Sequence, residues 1–124
     1  MTIQAAIYRI DSLKPNSFST EQKIAWLSEL DGMVHKELVL LHENPVPDVF
    51  TGYDGGTDQS TELLVPFPHD DMYQHYLAMQ MDLANAELGK YQNDKTLFNS
   101  AYLTYSDYYT REHMPLQRVK EFRL

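Results

Sequence analysis

Ser19-Thr20-Glu21-Gln22, followed by Lys23-Ile24-Ala25-Trp26-Leu27-Ser28-Glu29-Leu30-Asp31-Gly32-Met33-Val34-His35-Lys36-Glu37-Leu38-Val39-Leu40-Leu41-His42, decides the fold class. The first four residues form a capping box, with Ser19 as the cap and Gln22 reaching back. Behind it, Leu27, Leu30, Val34, Leu38 and Leu41 recur at helical spacing, and Ile24 and Trp26 widen the stripe. A helix over about 20–42 follows. Gly32 lies inside it, at a cost of roughly 1 kcal/mol relative to Ala. Either another backbone comes close there or the helix is locally broken.

Upstream, Ile3, Ile7, Ile10 and Leu13 repeat the helical spacing, and Thr2 suits an N-cap. Pro15 disfavours a helical Lys14 and ends this first helix. Downstream, a third helix is expected to start near His69, after Pro68. Asp70 and Asp71 in its first turn favour the positive end of the helix dipole. Met72, Tyr76, Met79, Leu83 and Ala86 make one stripe, and Tyr73, Leu77, Ala84, Leu88 and Tyr91 another. That helix is about 30 Å long. Gly89 to Asn93 then turns the chain into a fourth helix over 94–113, with Phe98, Tyr102, Tyr105 and Tyr109 on one face. The expected fold is all-α: one small four-helix domain over 1–124.

Between helices two and three the helical period disappears. Residues 43–68 hold Pro45, Pro47, Pro66 and Pro68 and three of the five glycines. Runs 49–53 and 61–65 can pair as a short β-hairpin. Phe50, Tyr53, Leu63, Leu64, Val65 and Phe67 make this arm too apolar for plain disorder, so it packs on its own helices or on a neighbour. Past Pro115 an extended tail, 114–124, closes the chain.

Length, composition and charge exclude several classes. The chain has 124 residues, 43% hydrophobic, and no cysteine. It fits one domain, with no disulfide and no thiolate chemistry. No apolar run of about 18 residues exists, so no membrane span is expected. Met1-Thr2-Ile3-Gln4 lacks the pattern of a secretory signal. Net charge is −8, and no Lys or Arg lies between Lys36 and Lys90, an interval with ten acids. The sign reverses in the tail, with Arg118, Lys120 and Arg123. Tight binding to nucleic acid is not expected without clustered bases.

Catalytic and metal motifs are weak. Asp54, Asp58 and Glu62 around Gly55-Gly56 supply oxygen ligands, but without EF-hand spacing, and a plain acidic turn explains them. His69, Asp70, Asp71 and His75 share one turn without the spacing of a full ligand set. No phosphate cradle, nucleophile elbow or HExxH pattern is present. No enzyme, cofactor or resident metal is expected. Seven of the nine tyrosines fall in the last two helices, among them the adjacent Tyr108 and Tyr109. With Met72, Met79 and Met81 they suggest more sticky helix surface than one small domain buries.

Gly52-Tyr53-Asp54, Thr57-Asp58, Glu62-Leu63-Leu64-Val65-Pro66 and Asp70-Asp71-Met72-Tyr73 form one set of motifs. Phe98-Asn99, Tyr102, Tyr105, Tyr108-Tyr109, Arg111 and His113-Met114-Pro115 form a second. Together they resemble the head–tail connector (adaptor) proteins of tailed phages and prophages, over about residues 50–115 and the helical opening. The resemblance implies a structural virion protein at the head–tail interface, made in the host cytoplasm. Its copies form a ring, typically twelvefold, beneath the portal protein. The ring extends the DNA channel without gripping the DNA and offers a platform for neck and tail-completion proteins. Phe50, Tyr53, Leu63, Leu64, Val65, Tyr105, Tyr108, Tyr109, Arg118, Lys120, Phe122 and Arg123 are then the expected contact residues. The alternative is a non-enzymatic bacterial helical module that grips one protein partner through its arm.

Overall fold

The computed structural model describes residues 1–42 and 49–115. Four α-helices follow in order: α1 (Ile3–Leu13), α2 (Thr20–Val34), α3 (Asp71–Ala84) and α4 (Leu88–Glu112). The all-α class and the four helices are as the periodicity predicts. Thr2 caps α1, its Oγ1 accepting from the Ala5 N–H at 3.1 Å. Ser19 caps α2 in the same way, accepting from the Gln22 N–H at 3.0 Å. Each cap satisfies one of the amide donors that a helix start leaves without a partner.

Gly32 neither breaks α2 nor admits another backbone; a Cβ there would stand 3.9 Å from the Phe50 ring. The irregularity comes three residues later, as a π-helical turn over His35–Val39 closed by Leu40 N–H to His35 C=O at 2.9 Å. A π turn holds more residues than an α turn and so rotates whatever follows. Leu38 and Val39 are therefore both buried, while Leu41, expected on the stripe, faces out.

The boundary between the last two helices also differs from expectation. α3 stops at Ala84 and α4 already begins at Leu88. The turn is a Schellman motif: Glu87 N–H reaches Asp82 C=O at 2.9 Å and Ala86 N–H reaches Leu83 C=O at 3.1 Å. Ala86 occupies the left-handed position at φ 56°. Glycine normally marks such a turn, and Gly89, which signalled it in the sequence, lies in the first turn of α4 instead. Leu83, Ala84, Ala86 and Leu88 consequently sit around the turn, exposed, and leave the two long stripes.

No hairpin forms in the arm, and the described residues contain no strand. Isolated bridges join Thr2 to Glu62 and His42 to Pro115. The amide groups that a hairpin needs are used elsewhere. Ile3 and Gln4, at the open start of α1, donate to Thr61 and Gln59 C=O at 3.1 and 3.0 Å. Leu63 donates back to Met1 C=O at 2.9 Å. The arm thus closes the N-terminus of α1.

α3 lies in the centre and touches each of the other three helices, while α1 and α4 do not pack on each other. Ile3, Ile10, Leu27, Leu30, Tyr73 and Leu77 sit at the middle of the core, and the arm inserts Leu63 and Val65. No helix among the described residues is long and apolar enough to cross a membrane.

Ala86→Gly should stabilise the chain. An L-residue in the left-handed region costs about 1–2 kcal/mol, part of which glycine's freer unfolded chain returns. The expected gain is about 0.5–1 kcal/mol, read as a higher urea midpoint at unchanged slope. An unchanged or lower midpoint contradicts this account of the turn.

Candidate interaction surface

Asp31 organises everything around the arm. Its side chain is fully buried one residue past Leu30, on the inward face of α2. Oδ2 accepts from Tyr53 Oη at 2.6 Å and from the Leu64 N–H at 3.0 Å. Oδ1 accepts from Tyr73 Oη at 2.6 Å, and that oxygen in turn accepts from the Val65 N–H at 2.8 Å. Three turns of arm and helix therefore converge on one carboxyl group. Burial pushes that carboxyl above its ordinary range, against the opposing hydrogen bonds from Tyr53, Tyr73 and Leu64. Burial likewise raises Tyr53 and Tyr73, and the nearby Asp31 charge adds to it. One turn earlier, Ser28 Oγ accepts from the Tyr53 N–H at 2.9 Å. Gly52 permits this seat: its φ is +84°, and a Cβ there would approach Ser28 Oγ to 2.7 Å.

The expected contact residues fall in different places, and four of the twelve are buried. Leu63, Val65, Tyr105 and Tyr109 are buried in the chain's own core and present no surface to a partner. Other tyrosines of α3 and α4 are held by the carboxylates of α2 and its π turn. Tyr76 donates to Glu29 at 3.2 Å, Tyr73 to Asp31, and Tyr102 to Glu37. Phe50, half-buried, stacks on His35 at 5.7 Å and meets Tyr53 edge-on at 5.3 Å. Tyr53 and Leu64 are half-buried as well. Tyr109 is pinned between His42 and His113, at ring distances of 5.4 and 3.8 Å. Tyr108 remains at the surface beside His69, 4.8 Å away. Arg118, Lys120, Phe122 and Arg123 lie outside the described residues.

The acidic loop binds itself. Asp54 Oδ1 accepts from the Gly56 N–H at 2.8 Å, and Asp58 Oδ1 from the Ser60 N–H at 2.9 Å. Glu62 takes the Met1 ammonium at 3.1 Å. Asp71 and His75 approach to 3.9 Å along one face of α3. Among the described residues, no group of three or more His, Asp or Glu is placed to hold a metal ion.

The open surface is elsewhere. Because α1 and α4 flank α3 without touching, a groove runs between them over Asp71, Gln74, His75 and Ala78. Two hollows of about 250 and 440 Å³ lie along it, joined through His75 and Leu97, and a third of about 740 Å³, lined by α1 and Gln74, adjoins them at Leu13. Tyr8 and Leu13 stand exposed on the α1 wall and Leu97 on the α4 wall. Phe67, 83% exposed, stands beside Pro68 at one end.

Near the opposite end lies the strongest titratable cluster. Asp82 is fully buried, with Lys14 Nζ 2.5 Å from its Oδ1 and the Asp94 carboxyl against it. Burial works against the Asp82 charge, yet the hydrogen bond from Asp94 and the Lys14 ammonium hold its carboxyl below the usual range. Burial, and then the hydrogen bond with Asp82 and its charge, push Asp94 up to about 6. The Lys14–Asp82 ion pair ties the end of α1 to α3. Sequence reasoning passed over Asp31 and Asp82, although each interrupts an apolar stripe at a core position, between Leu27 and Val34 and beside Ala78 and Met81. The groove had no sequence signal, since its walls come from helices far apart in the chain. No family model matches the chain, and neither a curated protein nor a solved structure matches it.

Tyr73→Phe should cost about 2–3 kcal/mol, because it leaves the Val65 N–H without an acceptor and Asp31 short of a donor. Denaturant midpoints of wild type and variant test this, and a loss under about 0.5 kcal/mol contradicts the network. Asp94 also gives a pH dependence. Its folded-state value lies above the ordinary 3.8, so the folded chain holds the extra proton. That stability is fully present below about pH 4 and lost as pH rises through about 6. Asp94→Asn should flatten the stability profile between those limits, and an unchanged slope contradicts the raised Asp94 value.

Proposed function

We propose that this chain is a non-enzymatic structural subunit of the head–tail connector type. It assembles with copies of itself into a ring below a portal protein, extends the DNA channel and docks neck or tail proteins. The observation that carries this reading is the open groove between α1 and α4. It leaves Tyr8, Leu13, Leu97 and Phe67 uncovered on a small body whose own core is complete. Exposed apolar residues grouped along one groove are the usual mark of a surface meant to be covered. The motif resemblance over 50–73 and 98–115 supplies the kind of assembly. The stretch without Lys or Arg from 37 to 89 suits a channel wall that must not hold passing phosphates.

A second reading is a free helical module that receives one partner helix in the same groove, since a slot between two helices suits an amphipathic helix. Self-association separates the two. A connector makes heterologous contacts that close on themselves, whereas a module needs none. Quantitative peptide mass spectrometry on intact phage particles, from the source organism or its induced prophage, should find this chain at the copy number of the portal. Absence from intact particles overturns the connector reading and leaves the module.

A further inference from the structure

We propose that the groove between α1 and α4 receives the C-terminal segment, residues 116–124, of a second copy of this chain, joining copies head to tail. The proposal rests on the assembly reading above and names the two surfaces that meet.

The groove sets Leu13, Ala78, Leu97 and Ala101 among polar side chains, with Asp71 near Pro68 and Asp94 near Lys14. The Lys14 charge is already taken by Asp82. The tail has the complementary composition. Leu116, Val119, Phe122 and Leu124 alternate with Arg118, Lys120 and Arg123. These nine residues carry three bases and one acid, while the rest of the chain has seven bases and seventeen acids. A segment of net charge +2 thus ends a body of net charge −10, and opposite fields draw such surfaces together. The groove runs about 15 Å along α4, from Asp94 to Thr104, a span that about four or five extended residues of the tail can fill.

Chain direction selects the neighbour's tail over the chain's own. α4 lines the groove with Leu97, Ser100, Ala101 and Thr104. It meets α2's π turn and His42 through Tyr102 and Tyr109, on a face about 140° further round the helix. His42 then bridges Pro115, the last described residue, which therefore lies by that second face. Pro115 and the groove thus lie on different sides of α4, which favours a neighbour's tail as the occupant. The donating and receiving surfaces are distinct, which makes the contact heterologous and able to close a ring.

The absence of cysteine makes the test clean. Full-length Glu121→Cys and full-length Gln74→Cys are mixed and mildly oxidised, with Asn99→Cys, on the far face of α4, replacing Gln74→Cys as the control. The mixture should give a disulfide-linked species of twice the chain mass, at least tenfold above the control. The charge reversal Arg118→Glu, Lys120→Glu, Arg123→Glu, added to the tail variant, should abolish it. Sedimentation of the unmodified chain is run alongside. Oligomers without the tail–groove crosslink overturn this proposal and leave the connector reading standing. A strictly monomeric chain overturns both. A double variant carrying Glu121→Cys and Gln74→Cys that bridges within a single chain also overturns it, by giving the groove to the chain's own tail.

Discussion

A carboxylate with no surface exposure is the constraint from which the rest of the structure follows. Removing an ionised carboxyl from water costs several kcal/mol unless hydrogen bonds replace its hydration. Asp31 obtains three donors, and none comes from its own helix. Tyr53 and Leu64 bring the arm, and Tyr73 brings α3. The arm therefore lies where those donors require, although it has no regular secondary structure of its own. Its backbone is satisfied by the same arrangement. Val65 donates to Tyr73, Tyr53 to Ser28 and Leu63 to Met1, so a hairpin would find its amide groups already occupied.

The local signals in the sequence are those that the structure keeps. Thr2 and Ser19 cap the helices they precede, and Lys14 leaves helical geometry before Pro15. The core of α2 up to Leu38 is the stripe that periodicity gives. Legibility fails where tertiary packing or an unusual residue takes over. The π turn moves Leu41 off the buried face, and nothing in residues 35–39 announces it. The α3–α4 turn is built on Ala86, a residue without intrinsic preference for the left-handed region. Gly89, the conventional signal, is surrounded by open space and marks nothing. Tyrosine abundance was legible as a count but not as a direction. The hydroxyls turn inward because Glu29, Asp31 and Glu37 line the facing element, and that pairing spans 42 to 65 residues of sequence.

The functional surface is the least legible part for the same reason. Leu13 reads as a core position of the α1 stripe, and the separation of α1 from α4 is what leaves it exposed in one hollow with Leu97. That separation follows from the central place of α3. A helix that packs on three others holds two of its neighbours apart, and the space between them becomes a groove by geometry alone.

A groove serves as a docking slot only if its walls are fixed before the partner arrives, because ordering them on binding costs affinity. Both ends are fixed here by polar contacts independent of any ligand. At one end Lys14, leaving α1, is tied to the buried Asp82 on α3, with Asp94 of α4 against it. At the other, the first amide groups of α1 are bound to Thr61 and Gln59 of the arm, which Asp31 holds in turn through Leu64. The two buried aspartates thus have complementary tasks. Asp31 fixes the arm and, through it, the start of α1, while Asp82 fixes its end. Between these anchors the exposed apolar side chains stand on rigid helices, the condition under which a small surface can hold a partner in a defined register.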